Sequence, residues 1–311
     1  MNQQITKPGI YQDFPVDAYF ADPCPQPSLS QSIAKILIDR SPAHAFLAHP
    51  RLNPAPAEEE SYTSAKAIGN AAHAFATGRS RDIAIGEWSD WKKKEAQTFR
   101  DSAMQSGLLP ILRKHVTSAE AMVLALRQQL DAAGHAQAFA ASRSQSEVVL
   151  AWEEEGIWFR TMIDCMAANN IYDLKTSAMS CAPHVVAERP SDAGWDIQAA
   201  MFERGLDRLD PEQAGRREFF FVAQENELPY ALTVVKVSEA DLTMGRKKLE
   251  HAVHVWRDCI TSGTWPAYPA ETVMSHPRGW SETQWLAREQ DYEARRLGDV
   301  ANTVVDRLMA G

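Results

Sequence analysis

At 311 residues, with 45% hydrophobic and 23% charged side chains, the chain can bury a full core and has the composition of an ordinary globular protein. A formal net charge of −9 argues against a protein that coats nucleic acid non-specifically, and no run of about 18 apolar residues offers a membrane span. Cys24, Cys165, Cys181 and Cys259 form no CxxC pair, which argues against structural zinc and a disulfide framework, and the N-terminus lacks the apolar core of a secretory signal, so a cytoplasmic setting is expected.

In chain order, residues 1–28 are rich in Pro, Asp and aromatics and read as an extended lead-in. Ser30 is placed to cap a helical stretch reaching Ala48, which Ser41-Pro42 splits into two short helices. Residues 50–60 form a Pro- and Glu-rich loop. Residues 62–77 spell an Ala-rich helix closed by Gly78. Two polar helices are expected over 90–105 and 110–133, the second amphipathic through Ile111, Val116, Met122, Leu126 and Leu130. From Ser146 the period changes. Residues 147–152 and 157–163 predict an antiparallel hairpin about an acidic Glu-Glu-Gly turn, and 171–176 a third, short strand. A helix over 192–209, a hairpin from 217–224 and 230–237, and a helix over 239–262 complete the pattern.

That order predicts an α/β fold: a mixed central β-sheet flanked by helices, plus an N-terminal helical region. A single domain spans 29–270, with its helical part over 29–140 and its sheet core over 146–262. In the segment 280–311, Trp285, Leu286, Leu297, Val300, Val304 and Leu308 recur at helical spacing, which predicts a helix that packs on the body or on a neighbouring copy.

The chemistry concentrates at two strand ends. Asp164 closes the 157–163 run, and Asp173-Leu174-Lys175 closes the next. Alternation puts Asp173 and Lys175 on one face and Leu174 on the other. If the strands are neighbours, Asp164 lies beside Asp173. Adjacent carboxylates repel, and a divalent cation is the usual means of holding them together. A lysine beside such a cation can orient or activate water, which suits phosphodiester hydrolysis. The same letters also fit solvated strand termini. Gly69 and His73 share a helix face, with glycine permitting close approach; a packed core histidine is the alternative. Gln198 and Phe202 make a second such pair, and Gln198 also reads as a surface polar group. Glu147 is a further acid or a simple strand-end charge. Cys165 reads as an apolar filler on the opposite face from Asp164.

In this order the residues resemble the PD-(D/E)xK nuclease superfamily, and within it the RecB-like group with its GxxxH, D, DxK and QxxxY motifs. They stand here as Gly69-Asn70-Ala71-Ala72-His73, Asp164, Asp173-Leu174-Lys175 and Gln198-Ala199-Ala200-Met201-Phe202. Phe202 replaces the tyrosine of the last motif, keeping the ring and losing the hydroxyl. Leu29-Ser30-Gln31-Ser32 and Ser41-Pro42-Ala43-His44 look like the RecE-type exonuclease (exonuclease VIII) branch of phages and prophages, and the resemblance covers roughly 25–270.

The resemblance implies a restriction-endonuclease-like core. It implies that His73, Asp164, Asp173 and the Leu174 backbone carbonyl hold Mg²⁺ or Mn²⁺, and that Asp164, Asp173, Lys175 and Gln198 are catalytic. Lys175 would polarise the attacking water, and Gln198 would contact the DNA backbone or brace Lys175. The implied activity is a 5′ to 3′ exonuclease working on double-stranded DNA ends. It would leave 3′ single-stranded tails for a single-strand-annealing protein, as a cytoplasmic homo-oligomeric ring, bacterial or phage-encoded. Two other readings stay open. One is a RecB-like single-strand nuclease of the CRISPR-adaptation sort, whose relatives commonly carry a four-cysteine cluster that this chain lacks. The other is a non-catalytic DNA-binding or assembly protein on a nuclease fold, whose expected mark is loss of Lys175 or an acid.

Acidic clusters at 58–60 and 153–155, and basic ones at Arg79, Arg81, Lys92, Lys93 and Lys94 and at Arg246, Lys247 and Lys248, each read as solvated faces. A basic lining inside a ring is the functional alternative.

Overall fold

The structure, a computed structural model, describes residues 3–53, 63–78 and 83–309, without the side chains of 64 and 297–306. The predicted loop at 50–60, the start of the Ala-rich helix, the acids at 58–60, and Arg79 and Arg81 therefore fall wholly or mostly outside the described residues. The chain forms two compact units, Met1–Tyr268 and Pro269–Gly311.

In the first unit, β1 (Gly9–Tyr11) and α1 (Val16–Phe20) precede β2 (Leu29–Ser30). The lead-in is thus more than extended chain: it supplies an edge strand and a short helix that buries Ala18 and Tyr19. Ser30 caps α2 (Gln31–Asp39) by accepting the Ile33 N–H at 3.4 Å. Pro42 opens α3 (Pro42–Ala48), where its missing N–H costs nothing. Thr63 caps α4 (Ser64–Thr77), which Gly78 ends in the left-handed region at φ 65°.

Next come β3 (Ile83–Gly86), α5 (Lys94–Gln105), β4 (Leu109–Leu112) and α6 (Arg113–Ala132). β3 and β4 pair in parallel as a small separate sheet. This corrects the helix expected from residue 110, because so short an apolar run cannot be told from helix by periodicity.

β5 (Gln145–Glu154), β6 (Ile157–Ala167) and β7 (Asn170–Ser177) form an antiparallel meander. Glu155 and Gly156, at φ 50° and 81°, give the left-handed backbone that a two-residue hairpin loop requires. Two short helices, α7 (Pro183–Val186) and α8 (Arg189–Ala193), lead to α9 (Trp195–Leu209). β8 (Glu218–Glu225) then returns parallel to β7, β9 (Leu232–Lys236) pairs antiparallel to β8, and α10 (Glu239–Ser262) follows its Ser238 cap.

The main sheet has the order β1-β5-β6-β7-β8-β9, with β2 also paired to β6. α2, α9 and α10 cover one face around Trp152, Phe159, Phe202, Phe221 and Trp256. α4 and α6 cover the other around Tyr172, Val222, Met122 and Leu126. This is the α/β architecture, a mixed central sheet flanked by helices, that the sequence predicts. Two glycines set the distances. A Cβ on Gly69 would lie 2.6 Å from Thr176 Oγ1, so α4 rests directly on β7. A Cβ on Gly245 would lie 2.1 Å from the Asp196 carbonyl oxygen, so α10 meets the backbone of α9.

A buried polar knot fastens the chain before β2 to the sheet. Asp22 Oδ1 lies 3.1 Å from Arg160 Nη1 of β6, and Asp22 Oδ2 lies 3.3 Å from His49 Nε2. Ser28 donates its hydroxyl to Asp22 at 2.7 Å and accepts from Arg160 at 2.6 Å. Burial alone would raise the Asp22 pKa, but His49, Arg160 and Ser28 together hold it below the usual carboxylate range.

The second unit contains α11 (Gly279–Met309), with Trp280, Trp285, Leu286 and Tyr292 exposed. Leu297, Val300 and Val304 lie outside the described side chains. Among the described residues no helix is long and apolar enough to cross a membrane.

Candidate active site

Register sets the site. Ser146 pairs Cys165 and Val148 pairs Ile163, so Glu147 of β5 faces Asp164 of β6. Cys165 pairs Tyr172, so the next position brings Asp164 opposite Asp173 of β7. The three acids form one row across the sheet. Asp164 and Asp173 therefore sit inside their strands, a correction to the strand ends the sequence suggested. β6 continues to Ala167 because backbone pairing, not the apolar run, decides where a strand stops.

One edge of β6 is shared. β7 pairs it only at residues 165–167, and β2 pairs it at 159–160, which leaves an unpaired gap between them. In that gap the Asp164 side chain replaces the ladder, its Oδ2 accepting the Leu174 N–H at 2.9 Å. The alternation of β6 also changes phase here. Phe159 and Ile163 pack in the α2/α9/α10 core, whereas Cys165 and Ala167 pack in the α4/α6 core. Glu147 is left-handed at φ 48°, a conformation that costs a non-glycine residue about 1–3 kcal/mol and that concentrates at functional sites.

Because Gly69 seats α4 against β7, His73 one turn later reaches the row. Its Nε2 lies 2.9 Å from Asp164 Oδ2 and its Nδ1 4.0 Å from Glu147 Oε1. Thr77, a further turn along, donates to Glu147 Oε1 at 3.4 Å. On the other side, Lys175 Nζ lies 2.6 Å from Asp173 Oδ1. Gln198 of α9 bridges the pair: its Oε1 accepts from Lys175 at 2.8 Å and its Nε2 donates to Asp173 Oδ2 at 2.6 Å. Gln198 is thus found as a brace between Asp173 and Lys175. Phe202 is buried in the core, where a tyrosine hydroxyl would need a partner.

The electrostatics record crowding. Asp164 raises the His73 pKa to about 9, against the opposing effect of burial. Burial first, and Asp164 second, push Asp173 up to about 6 despite Lys175. Burial would raise Asp164 too, but His73 outweighs it and holds that carboxyl low. His73 and Asp173 thus favour holding protons while Asp164 stays ionised, the response of two buried carboxylates sharing one space.

Asp173 Oδ1 is buried without a hydrogen-bond partner although Lys175 Nζ lies 2.6 Å away, and among the described residues no three His, Cys, Asp or Glu form a ready-made cage. The donor set nevertheless fits a hard divalent cation: two carboxylates and an imidazole converge, and the positive charge they lack is supplied by protons. A cation held there would take the place of the His73–Asp164 contact.

A cleft of about 360 Å³ opens on the row, lined also by Phe20, Gln31, Arg160 and Met162. Arg160 and Phe20 line the cleft without belonging to any of the motifs above. Alternation could have found Arg160, a charge in an apolar strand in phase with Asp164. No local signal marks Phe20. The basic groups divide: Arg246 is bound by Glu203 and Glu239, and Lys248 by Asp196, whereas Lys92, Lys93 and Lys94 are exposed. Cys165 is a buried filler of the α4/α6 core.

The mixed central sheet flanked by helices is that of a PD-(D/E)xK-like fold. The chain belongs to a family described as a PDDEXK-like domain of unknown function (DUF3799), whose model matches residues 30–275. Nucleases of this class typically use a divalent metal. A protein of Eubacterium rectale provisionally assigned as an exonuclease shares the fold. Its crystal structure matches with a TM-score of 0.53 and 14% identity, over 83% of this chain and 92% of that one. A second solved structure, SSO0001, aligns at 12% identity over 77% of this chain and 97% of that one, but its TM-score of 0.27 is too low to bear on the fold. No curated protein matches the chain.

Proposed function

We propose that the protein is a metal-dependent DNA exonuclease, in which His73, Asp164, Asp173 and the Leu174 carbonyl hold Mg²⁺ or Mn²⁺. The observation that carries this reading is the convergence of His73, Asp164, Asp173 and Lys175 in the gap between β6 and β7, with Lys175 held at 2.6 Å from Asp173. Bound there, the cation supplies Lewis-acid stabilisation of the charge that develops on the phosphate. Lys175 holds and polarises the attacking water. Gln198 keeps the ammonium and the Asp173 carboxylate in one fixed relation, so the lysine is aimed before substrate arrives. The Leu174 N–H fixes the Asp164 carboxylate.

Action at double-stranded DNA ends, 5′ to 3′ polarity, a homo-oligomeric ring and a strand-annealing partner belong to the same proposal and rest on the RecE-type resemblance. The test is digestion of linear duplex DNA labelled at its 5′ or its 3′ end, with Mg²⁺ and with EDTA. Metal-dependent early release of the 5′ label, with closed circles untouched, is the expected result. A folded protein that degrades no DNA with any divalent metal overturns the proposal.

A further inference from the structure

We propose that the groove next to the catalytic cleft is a nucleobase subsite, in which Phe20 stacks on the base of the nucleotide flanking the scissile phosphate. This inference rests on the nuclease reading above and deepens it.

Phe20 ends α1 and is 58% exposed, while its neighbour Tyr19 is buried and packs edge-on against it at 5.3 Å. The ring is therefore held in solvent by a fixed support. It lines both the cleft containing Asp164, Asp173 and Lys175 and a second groove of about 350 Å³. His73 and Met162 also line both, so the second groove begins one side chain from the reacting phosphate. Its volume falls within the range of about 300–1,000 Å³ usual for small-molecule sites.

The lining selects the occupant. Val16, Leu109 and Met162 give apolar walls, and Asn70, one turn before His73, offers an amide that both donates and accepts. Among the described residues no lysine or arginine lines the groove, and Glu147 does, so a phosphate would meet a carboxylate there. A base presents what these walls accept: two apolar π faces and an edge that hydrogen-bonds in either sense. Stacking on one aromatic ring tolerates any base, which an enzyme that degrades DNA regardless of sequence requires. A phosphodiester placed at Asp164 and Asp173 carries a nucleotide on each side, and this groove is continuous with that position.

The test compares the intact protein with Phe20→Ala and Phe20→Trp on two DNA substrates. One is normal, and the other lacks the base beside the scissile bond. Removing the base should raise KM for the parent by roughly 5- to 150-fold, the equivalent of one stacked base. Phe20→Ala should carry that loss already and show no further abasic penalty, whereas Phe20→Trp should keep the parent's sensitivity. A merely structural role would lower activity on both substrates alike and leave their ratio unchanged, and that result overturns the subsite. Equal abasic penalties in the parent and Phe20→Ala also remove it while leaving the nuclease reading intact. Absence of metal-dependent cleavage by the parent itself removes both.

Discussion

Asp173 is held where its charge is unwelcome. Its carboxyl is buried in register with Asp164, and those two causes lift its pKa to about 6. A carboxyl with a folded pKa above the unfolded value of about 3.9 favours the fold while protonated. That contribution is complete below about pH 4 and is lost as pH rises through about 6. Asp173→Asn removes the charge at nearly equal volume. In EDTA at pH 8 the variant should therefore unfold no lower in temperature than the parent, and the parent's stability relative to it should fall between about pH 4 and pH 6. Mg²⁺ should stabilise the parent by mass action, about 2.7 kcal/mol at 100-fold excess over Kd, and leave the variant nearly unmoved and inactive. Thermal melts with and without Mg²⁺ check this, and an undiminished shift in the variant would remove Asp173 from the ligand set. Lys175→Ala should keep the Mg²⁺ shift and lose about 10²–10⁴-fold in turnover.

At the scale of elements, the site depends on how closely α4 approaches β7. Gly69→Ala places a methyl 2.6 Å from Thr176 Oγ1, and the helix must move away. Overpacking of this kind costs about 1–3 kcal/mol. The obstacle is one hydroxyl, because the next nearest atom, Thr176 Cβ, stands at an ordinary 3.5 Å. Thr176→Ala should therefore restore most of the stability and activity lost in Gly69→Ala, a coupling that a double-mutant cycle in denaturant would measure. Additive effects would show that α4 is positioned elsewhere. The contrast with Gly245 is physical: there the obstruction is the Asp196 backbone oxygen, which no side-chain change relieves.

What the sequence allowed to be read follows the same division. Gly69 with His73 and Asp173 with Lys175 are local spacings, fixed by helix and strand period, and were legible. The unpaired edge of β6 between β2 and β7 is set by which strands meet, and so is the phase change at Glu147 and Asp164. No local pattern encodes either. Phe20 belongs to a segment whose prolines and aspartates suggested extended chain, and its place beside His73 arises only once β1 and the Asp22 knot fold that segment onto the sheet.

For the whole molecule, a net charge of −9 must be reconciled with the polyanionic substrate proposed above, and the reconciliation lies in which charges are already neutralised. Arg204 is bound by Glu154 and Glu250, Arg257 by Glu155, Arg246 by Glu203 and Glu239, and Lys248 by Asp196. Those pairs hold helices to the sheet and to each other. Lys92, Lys93 and Lys94 differ: they stand exposed at the start of α5, and the contact of Lys92 with Asp90 is 4.0 Å long with the lysine 89% exposed. The same loop carries Trp88 and Trp91, packed with Phe99. Each phosphate neutralised by such a lysine contributes about 0.9 to the slope of log K against log salt. Replacing Lys92, Lys93 and Lys94 by Gln should therefore weaken duplex binding equally across sequences and flatten the salt slope by up to about 3, read by fluorescence anisotropy in EDTA from 50 to 200 mM salt. Arg246→Gln should leave that slope unchanged and lower stability, since it unpairs Glu203 and Glu239. An unchanged slope in the lysine variant, with the slope lost in Arg246→Gln, would move the DNA path from the α5 loop to the α10 face.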